Sequence, residues 1–260
     1  MKKYTLIILL FLSTITLYSQ VDKLRATYEL TYQIDSTDSS NLKTERMILD
    51  IDKSISSYES ERKYLKDSIL KSNNPHSVYG LSKSKFKYKI YKDKNTNKIN
   101  TLYDYTAYKF EIEEIIPKLK WSIHKETKKI LDINCIKATT SFAGRYYIAW
   151  FANEIPISDG PYKFTGLPGL IMEIYDTKNH YKHIVIGINY QKKNVKFNNN
   201  GFTKISQFDF KKFLKKIKEK PSLILYNPGI QIPKAGLDKY DRNHRERQKH
   251  ENNPIELEKK

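Results

Sequence analysis

The 260-residue sequence contains a single cysteine, Cys135, so no intramolecular disulfide can form and the fold must be held by a core. Acidic residues are in short supply: 29 Asp and Glu against 47 Lys and Arg leave a formal charge of +18 at pH 7. That balance suits an anionic neighbour, although lysine dispersed along a chain also makes an ordinary solvated surface. Nine glycines and nine prolines are too few for a collagen-like or low-complexity chain. Beyond the first twenty residues there is no apolar run long enough to span a bilayer. The patterns G-x-S-x-G, H-E-x-x-H and G-x-x-x-x-G-K-[ST] are all missing, so the familiar serine-hydrolase, zinc-protease and phosphate-loop chemistries have no foothold. No cofactor is expected.

The one strongly apolar run stands at the start. In MKKYTLIILLFLSTITLYSQ, Lys2 and Lys3 precede unbroken apolar residues from Leu6 to Leu12, and Ser19 offers a small residue for cleavage. This reads as a signal peptide over residues 1–19, which predicts an exported, periplasmic chain with no transmembrane segment once it is removed. In that compartment an anionic partner would be acidic lipid or polysaccharide, or an envelope protein, rather than nucleic acid. A monomer is expected.

After the leader the dominant signal is alternation. Leu24, Ala26, Tyr28, Leu30, Tyr32 and Ile34 interleave with polar residues, and the same period returns at Met47–Ile51, Phe86–Ile90 and Tyr146–Trp150. Strand after strand with one wet face predicts a long, curved antiparallel sheet, open as a half-barrel. KDKNTNK, residues 92–98, reads as the loop of a hairpin, and IYDTKNHYKHIVIGINY repeats that plan. Two helices are expected against the sheet. One is a short helix from Tyr58 to Lys71, with Tyr58, Leu65 and Ile69 on one side. The other runs from a Ser206 cap to a Pro221 stop, with Phe210, Phe213, Leu214 and Ile217 as its apolar stripe. Residues 20–235 then form one mainly β domain, and residues 236–260 read as a charged, largely flexible tail. Within that tail NPIEL alternates and could add a strand to an edge or to a partner.

The stretch GPYKFTGLPGLIMEIYD concentrates turn chemistry. Gly160-Pro161 makes one turn; Pro168-Gly169 has the order of a type II turn, in which proline sets its own φ and glycine takes a positive one, and Gly166 adds freedom just before it. Together with GRYYIAWFANEIPIS ahead of it, this stretch resembles the signature of the GLPGLI family of exported Bacteroidota proteins, whose name stands here as Gly166 to Ile171. Gly144, Arg145, Trp150, Phe151, Ile155-Pro156 and Gly160-Pro161 carry the likeness in order. The resemblance implies a compartment and brings neither an activity nor catalytic residues.

Candidate chemistry is sparse. No catalytic set is predicted and no metal site: Cys135 sits in an apparent strand, and His180 and His183 in an apparent loop with exposed rings, where a spacing of three does not bring ligands together on a strand. Arg145, among Tyr146, Tyr147 and Trp150, should pair with a carboxylate such as Glu173 or stack on a ring. The candidate ligand-binding residues are Trp121, Arg145, Trp150, Phe151 and Phe164, which would line an apolar cavity on the concave side of the sheet. The favoured role is a non-catalytic envelope binding or accessory protein. The alternatives are a hydrolase using Cys135 or a carboxylate, and an assembly component pairing through its C-terminal tail.

Overall fold

A computed structural model describes residues 23–71, 84–105, 107–191, 194–225 and 231–257. The expected leader lies outside the described residues. Twelve strands form one open sheet: β1 (Lys23–Gln33), β2 (Leu42–Asp52), β3 (Ile55–Ser60), β4 (Tyr88–Asp93), β5 (Lys98–Asp104), β6 (Lys109–Ile115), β7 (Ser122–Ile130), β8 (Ile133–Phe142), β9 (Arg145–Ala152), β10 (Leu170–Asp176), β11 (Tyr181–Tyr190) and β12 (Thr203–Lys204). Their order across the sheet is β12-β6-β5-β4-β3-β2-β1-β11-β10-β9-β8-β7. Every pairing is antiparallel except the short one between β12 and β6. The sheet is not closed into a barrel.

The arrangement follows from short connections. β2 to β6 form one meander and β7 to β11 another, each strand pairing with its neighbour in sequence. β1 joins the two by pairing with β2 on one side and β11 on the other, Leu30 opposite Glu45 and His183. A bulge between Thr27 and Tyr28 shifts the second register, and bulges increase local twist. The predicted alternation holds: Leu24, Ala26, Tyr28 and Leu30 are essentially inaccessible, while their odd-numbered neighbours are not.

Three helices and a 3-10 turn complete the described chain. α1 (Glu61–Lys71) lies against β2 and β3, where Tyr64 receives the Arg25 guanidinium 4.5 Å from its ring centre. Tyr58, expected within this helix, is instead a fully buried strand residue opposite Leu49 and Ile90. Its place in the core outweighs the helical spacing, and Leu65 is left exposed. α2 (Gln207–Glu219) starts as expected: the Ser206 hydroxyl accepts from the Asp209 amide at 3.0 Å. The 3-10 turn Pro221–Leu225 follows it. Phe210 packs 4.2 Å from the Tyr103 ring, with Tyr105, Phe110 and Phe213 around it.

α3 (Lys234–Lys249) corrects the expectation of a solvated tail from residue 236. It is a polar helix in which Asp241 alone is buried, its carboxylate accepting from the Ser222 amide and hydroxyl. No apolar stripe betrays it, because its main packing is on the 3-10 turn and α2. Among the described residues no helix is long and apolar enough to cross a membrane.

Candidate functional site

Between β9 and β10 the chain leaves the sheet for residues 153–169 and returns across its concave side. This loop is a plug. Phe164 is inaccessible, its ring 4.7 Å from Tyr147, 5.4 Å from Phe142 and 6.4 Å from Tyr162. Tyr162 in turn lies 5.9 Å from Tyr88 of β4. Lys163 reaches Glu114 of β6 at 2.7 Å, and Tyr28 of β1 donates to the Ile171 carbonyl at 2.7 Å. Strands from both meanders therefore wrap around one loop.

Its firmest attachment is charged. Asp159 and Lys92 of β4 are both completely inaccessible and 2.5 Å apart, and Lys92 also donates to the Gly160 carbonyl at 2.5 Å. Lys94 approaches the second carboxylate oxygen at 3.4 Å. Burial alone would push the Asp159 carboxyl up, but the two ammonium groups hold it below its ordinary value, so it stays ionised. Lys92, expected in a hairpin loop, belongs to a strand: β4 continues to Asp93 and the loop shrinks to residues 94–97.

The glycines serve this packing. Gly160 faces the Ile171 side chain so closely that a Cβ would collide with it, and Pro161 beside it is buried. Gly166 carries the positive φ, +96°, while Gly169 lies outside that region, so the type II reading of Pro168-Gly169 is corrected. Gly169 is required for a different reason: a Cβ there would run into the Ala152 carbonyl. Pro168 is exposed at the bend.

The plug decides the fate of the expected cavity. Phe151 and Phe164 are core residues with no accessible surface to offer a ligand. Trp150 neighbours Phe151 but, by strand alternation, projects to the opposite, outer face. Trp121 sits at the rim of the plug and donates to the Thr165 carbonyl at 2.9 Å. These residues do not converge on one cavity. The concave side is occupied by the chain itself.

Arg145, at the start of β9, has all five of its N–H donors within reach of partners. Nη1 meets Asp176 at 3.2 Å and His180 Nδ1 at 3.1 Å; Nη2 donates to Asn253 Oδ1 at 2.6 Å and the Pro254 carbonyl at 2.7 Å; Nε donates to the Ile255 carbonyl at 3.1 Å. A neutral His180 ring suits this contact, and burial lowers its pKa. Glu173, the expected partner, instead pairs with Lys128 and Lys182 on the outer face. Around Arg145 the NPIEL segment is gripped closely. Tyr181 donates to the Asn253 carbonyl at 2.6 Å, Asn253 binds the Ile34 and Gln33 carbonyls, Leu257 donates to the Ala143 carbonyl, and Glu256 meets Tyr162 and Lys163. The segment is docked on its own sheet without adding a strand.

Other candidates fall inside. Cys135 is inaccessible, donates weakly to the Ile133 carbonyl at 3.5 Å, and burial pushes its thiol up to about 11, which removes it as a nucleophile. His183 is not exposed: it lies in β11, 2.9 Å from the Tyr58 hydroxyl, and burial pushes it down to about 3. Its parity with Tyr181 and Val185 was the available signal. Among the described residues no three His, Cys, Asp or Glu side chains cluster as metal ligands.

On the outer face a different set is accessible. Tyr146, Ile148 and Trp150 of β9, Tyr175 of β10 and Ile184 and Ile186 of β11 share it, as register and alternation require. Tyr146 is 48% exposed and Ile186 40%, and the others are half-buried. Lys128 lies 4.5 Å above the Trp150 ring, Lys182 5.9 Å from Tyr175, and Lys137 pairs with Glu126 at 2.9 Å. A polar depression of about 200 Å³ lined by Glu29, Thr44, Glu45, Arg46, Glu61 and Arg62 lies beside α1.

A family model described as a protein of unknown function (Porph_ging) matches residues 143–173. That span is β9, the plug and the first half of β10. No protein of curated function is similar to the chain by sequence. Among solved structures it is similar to PNGF-II in space groups P21 and C2, with TM-scores of 0.56 and 0.55 at 14% and 15% identity. These alignments cover 76% and 75% of this chain but 34% and 33% of PNGF-II, so the chain spans about a third of that protein's length. A putative outer membrane lipoprotein-sorting protein domain from Vibrio parahaemolyticus aligns over 76% of this chain and 93% of its own at 8% identity, with a TM-score of 0.28 that carries no argument. The likeness to PNGF-II is one of fold alone.

Proposed function

We propose that the protein is a non-catalytic binding protein of the cell envelope that takes an anionic polysaccharide on the outer face of β9 to β11. The observation that carries this reading is that the inside of the sheet is filled by residues 153–169, whereas Tyr146, Trp150 and Tyr175 lie on the outer face with three lysines beside them. Ring faces stack on sugar rings, with the aromatic pre-ordered by its strand, and three lysines against the two carboxylates Glu173 and Glu126 leave a surplus positive charge for acidic substituents. The resemblance of Gly166–Ile171 to exported GLPGLI proteins and the leader-like residues 1–19 support an envelope compartment. The chain's charge of +18 favours encounter with an anionic polymer at low salt.

The test is titration of the full mature chain with polygalacturonate, followed by tryptophan fluorescence in a Trp121→Phe background that leaves Trp150 as the reporter. Binding should weaken about tenfold in Tyr146→Ser with Tyr175→Ser, the loss of about 1.4 kcal/mol of contact, and should fall as salt rises. A Trp150 signal equal for an uncharged polysaccharide would remove the electrostatic half of the reading. No response to any polysaccharide, with binding to anionic lipid vesicles instead, would replace it by a membrane-surface role.

A further inference from the structure

The C-terminal residues are held as a bound peptide is held. From Asn253 to Leu257 the segment is fixed by hydrogen bonds to its backbone and to its two polar side chains: Arg145 to the Pro254 and Ile255 carbonyls and to Asn253, Tyr181 to the Asn253 carbonyl, the Asn253 amides to the Ile34 and Gln33 carbonyls, the Leu257 amide to Ala143, and Tyr162 with Lys163 to Glu256. Ile255 packs against the core between these polar points. Asn253 is buried and presents both donor and acceptor, Ile255 packs on the core and Glu256 meets a Tyr–Lys pair, so the grip falls on these three side chains, while Pro254 and Leu257 are held through their backbone. What connects this anchor to the rest of the chain is very different. α3 buries only Asp241 and packs mainly on the 3-10 turn and α2, and the anchor resumes just beyond it where His250 and Asn252 meet Asp35. A specific anchor on a lightly attached arm is the construction from which identical elements exchange between copies, because each hydrogen bond broken within a chain re-forms between two.

We infer that the Arg145 socket is a peptide-binding site, filled here by the chain's own tail and filled in an exchanged dimer by the tail of a second copy. The site is independent of the outer-face reading. It lies at the concave end of β9, and Arg145 takes no part in the Trp150 surface.

Complementation between two full-length variants tests it. Asn253→Ala leaves the socket intact but spoils the tail; Arg145→Met leaves the tail intact but spoils the socket. Each alone should run as one chain in light scattering, and an equimolar mixture should give a complex of two chains containing one of each, identified by intact mass. Two folded variants that stay single when mixed would overturn the inference. Where either variant fails to fold, hydrogen exchange of the wild-type chain decides. Amides of Asn253 and Leu257 exchanging faster than those of β1 and β11 mean the tail opens on its own, as exchange between copies requires. Release of those amides only together with the β1 and β11 core means the tail is an inseparable part of the fold, and the inference is wrong.

Discussion

Gly169 illustrates how a residue can be required for a reason its neighbours do not reveal. With its φ in the ordinary range, Gly169→Ala meets no strain of rotation; it meets the Ala152 carbonyl, which is backbone and cannot swing aside. We expect a loss of about 1–3 kcal/mol in urea unfolding. Gly166→Ala, at φ +96° but with only the Trp121 ring nearby, should cost about 1 kcal/mol. A Gly169→Ala chain as stable as the parent would contradict the assignment. His183 makes a second single-residue prediction. Its folded pKa lies near 3 against an ordinary 6.5, so below pH 6.5 the unfolded chain takes up a proton that the buried ring refuses. Its contribution is present above pH 6.5 and is lost as pH falls toward 3. At about 1.4 kcal/mol per unit, going from pH 6.5 to 5 removes on the order of 2 kcal/mol. Unfolding measured across that range should show a shallower slope for His183→Gln than for the parent chain, and an unchanged slope would assign the acid sensitivity elsewhere.

Elements were legible where burial follows a period. The alternation of β1 and the capped stripe of α2 each state their own structure, and Ser206→Ala should cost about 1 kcal/mol in thermal unfolding. The plug was legible only as a sequence of turns. Its role rests on Lys92 and Gly160, 68 positions apart, and on rings from three strands, none of which leaves a local pattern. α3 was missed because it lacks an apolar face, and the tail anchor because hydrogen bonds to carbonyls carry no side-chain signature. Of the candidate site residues, Arg145 was singled out correctly as a paired arginine but given the wrong carboxylate, since Glu173 and Asp176 occupy opposite faces of β10. The plug's anchorage yields a testable asymmetry. Lys92→Met strands a buried carboxylate beside Lys94 alone and should cost about 3–5 kcal/mol, while adding Asp159→Asn should return part of that loss. A double variant no more stable than Lys92→Met would show that the pair is not what holds the plug.

The whole molecule is an open sheet with two ends, and it treats them differently. β12 is two residues long, too short to template another strand. β7, at the other end, is nine residues long and carries Lys125, Lys128 and Lys129 along its length. We expect that charge to keep a neighbouring sheet away. Replacing Lys125 and Lys129 by valine should produce association detectable by light scattering, and a chain that remains single at high concentration would refute this use of the edge. The central pairing has a consequence in time. Both meanders can assemble from strands adjacent in sequence, but β1 meets β11, Leu24 against Tyr190, only after most of the chain exists. Loop closure over that separation is slow compared with hairpin formation. A nascent chain therefore carries its first strand unpaired on one side until residue 190 has been made, which keeps it pliable through synthesis and sets completion of the fold as a late, single event.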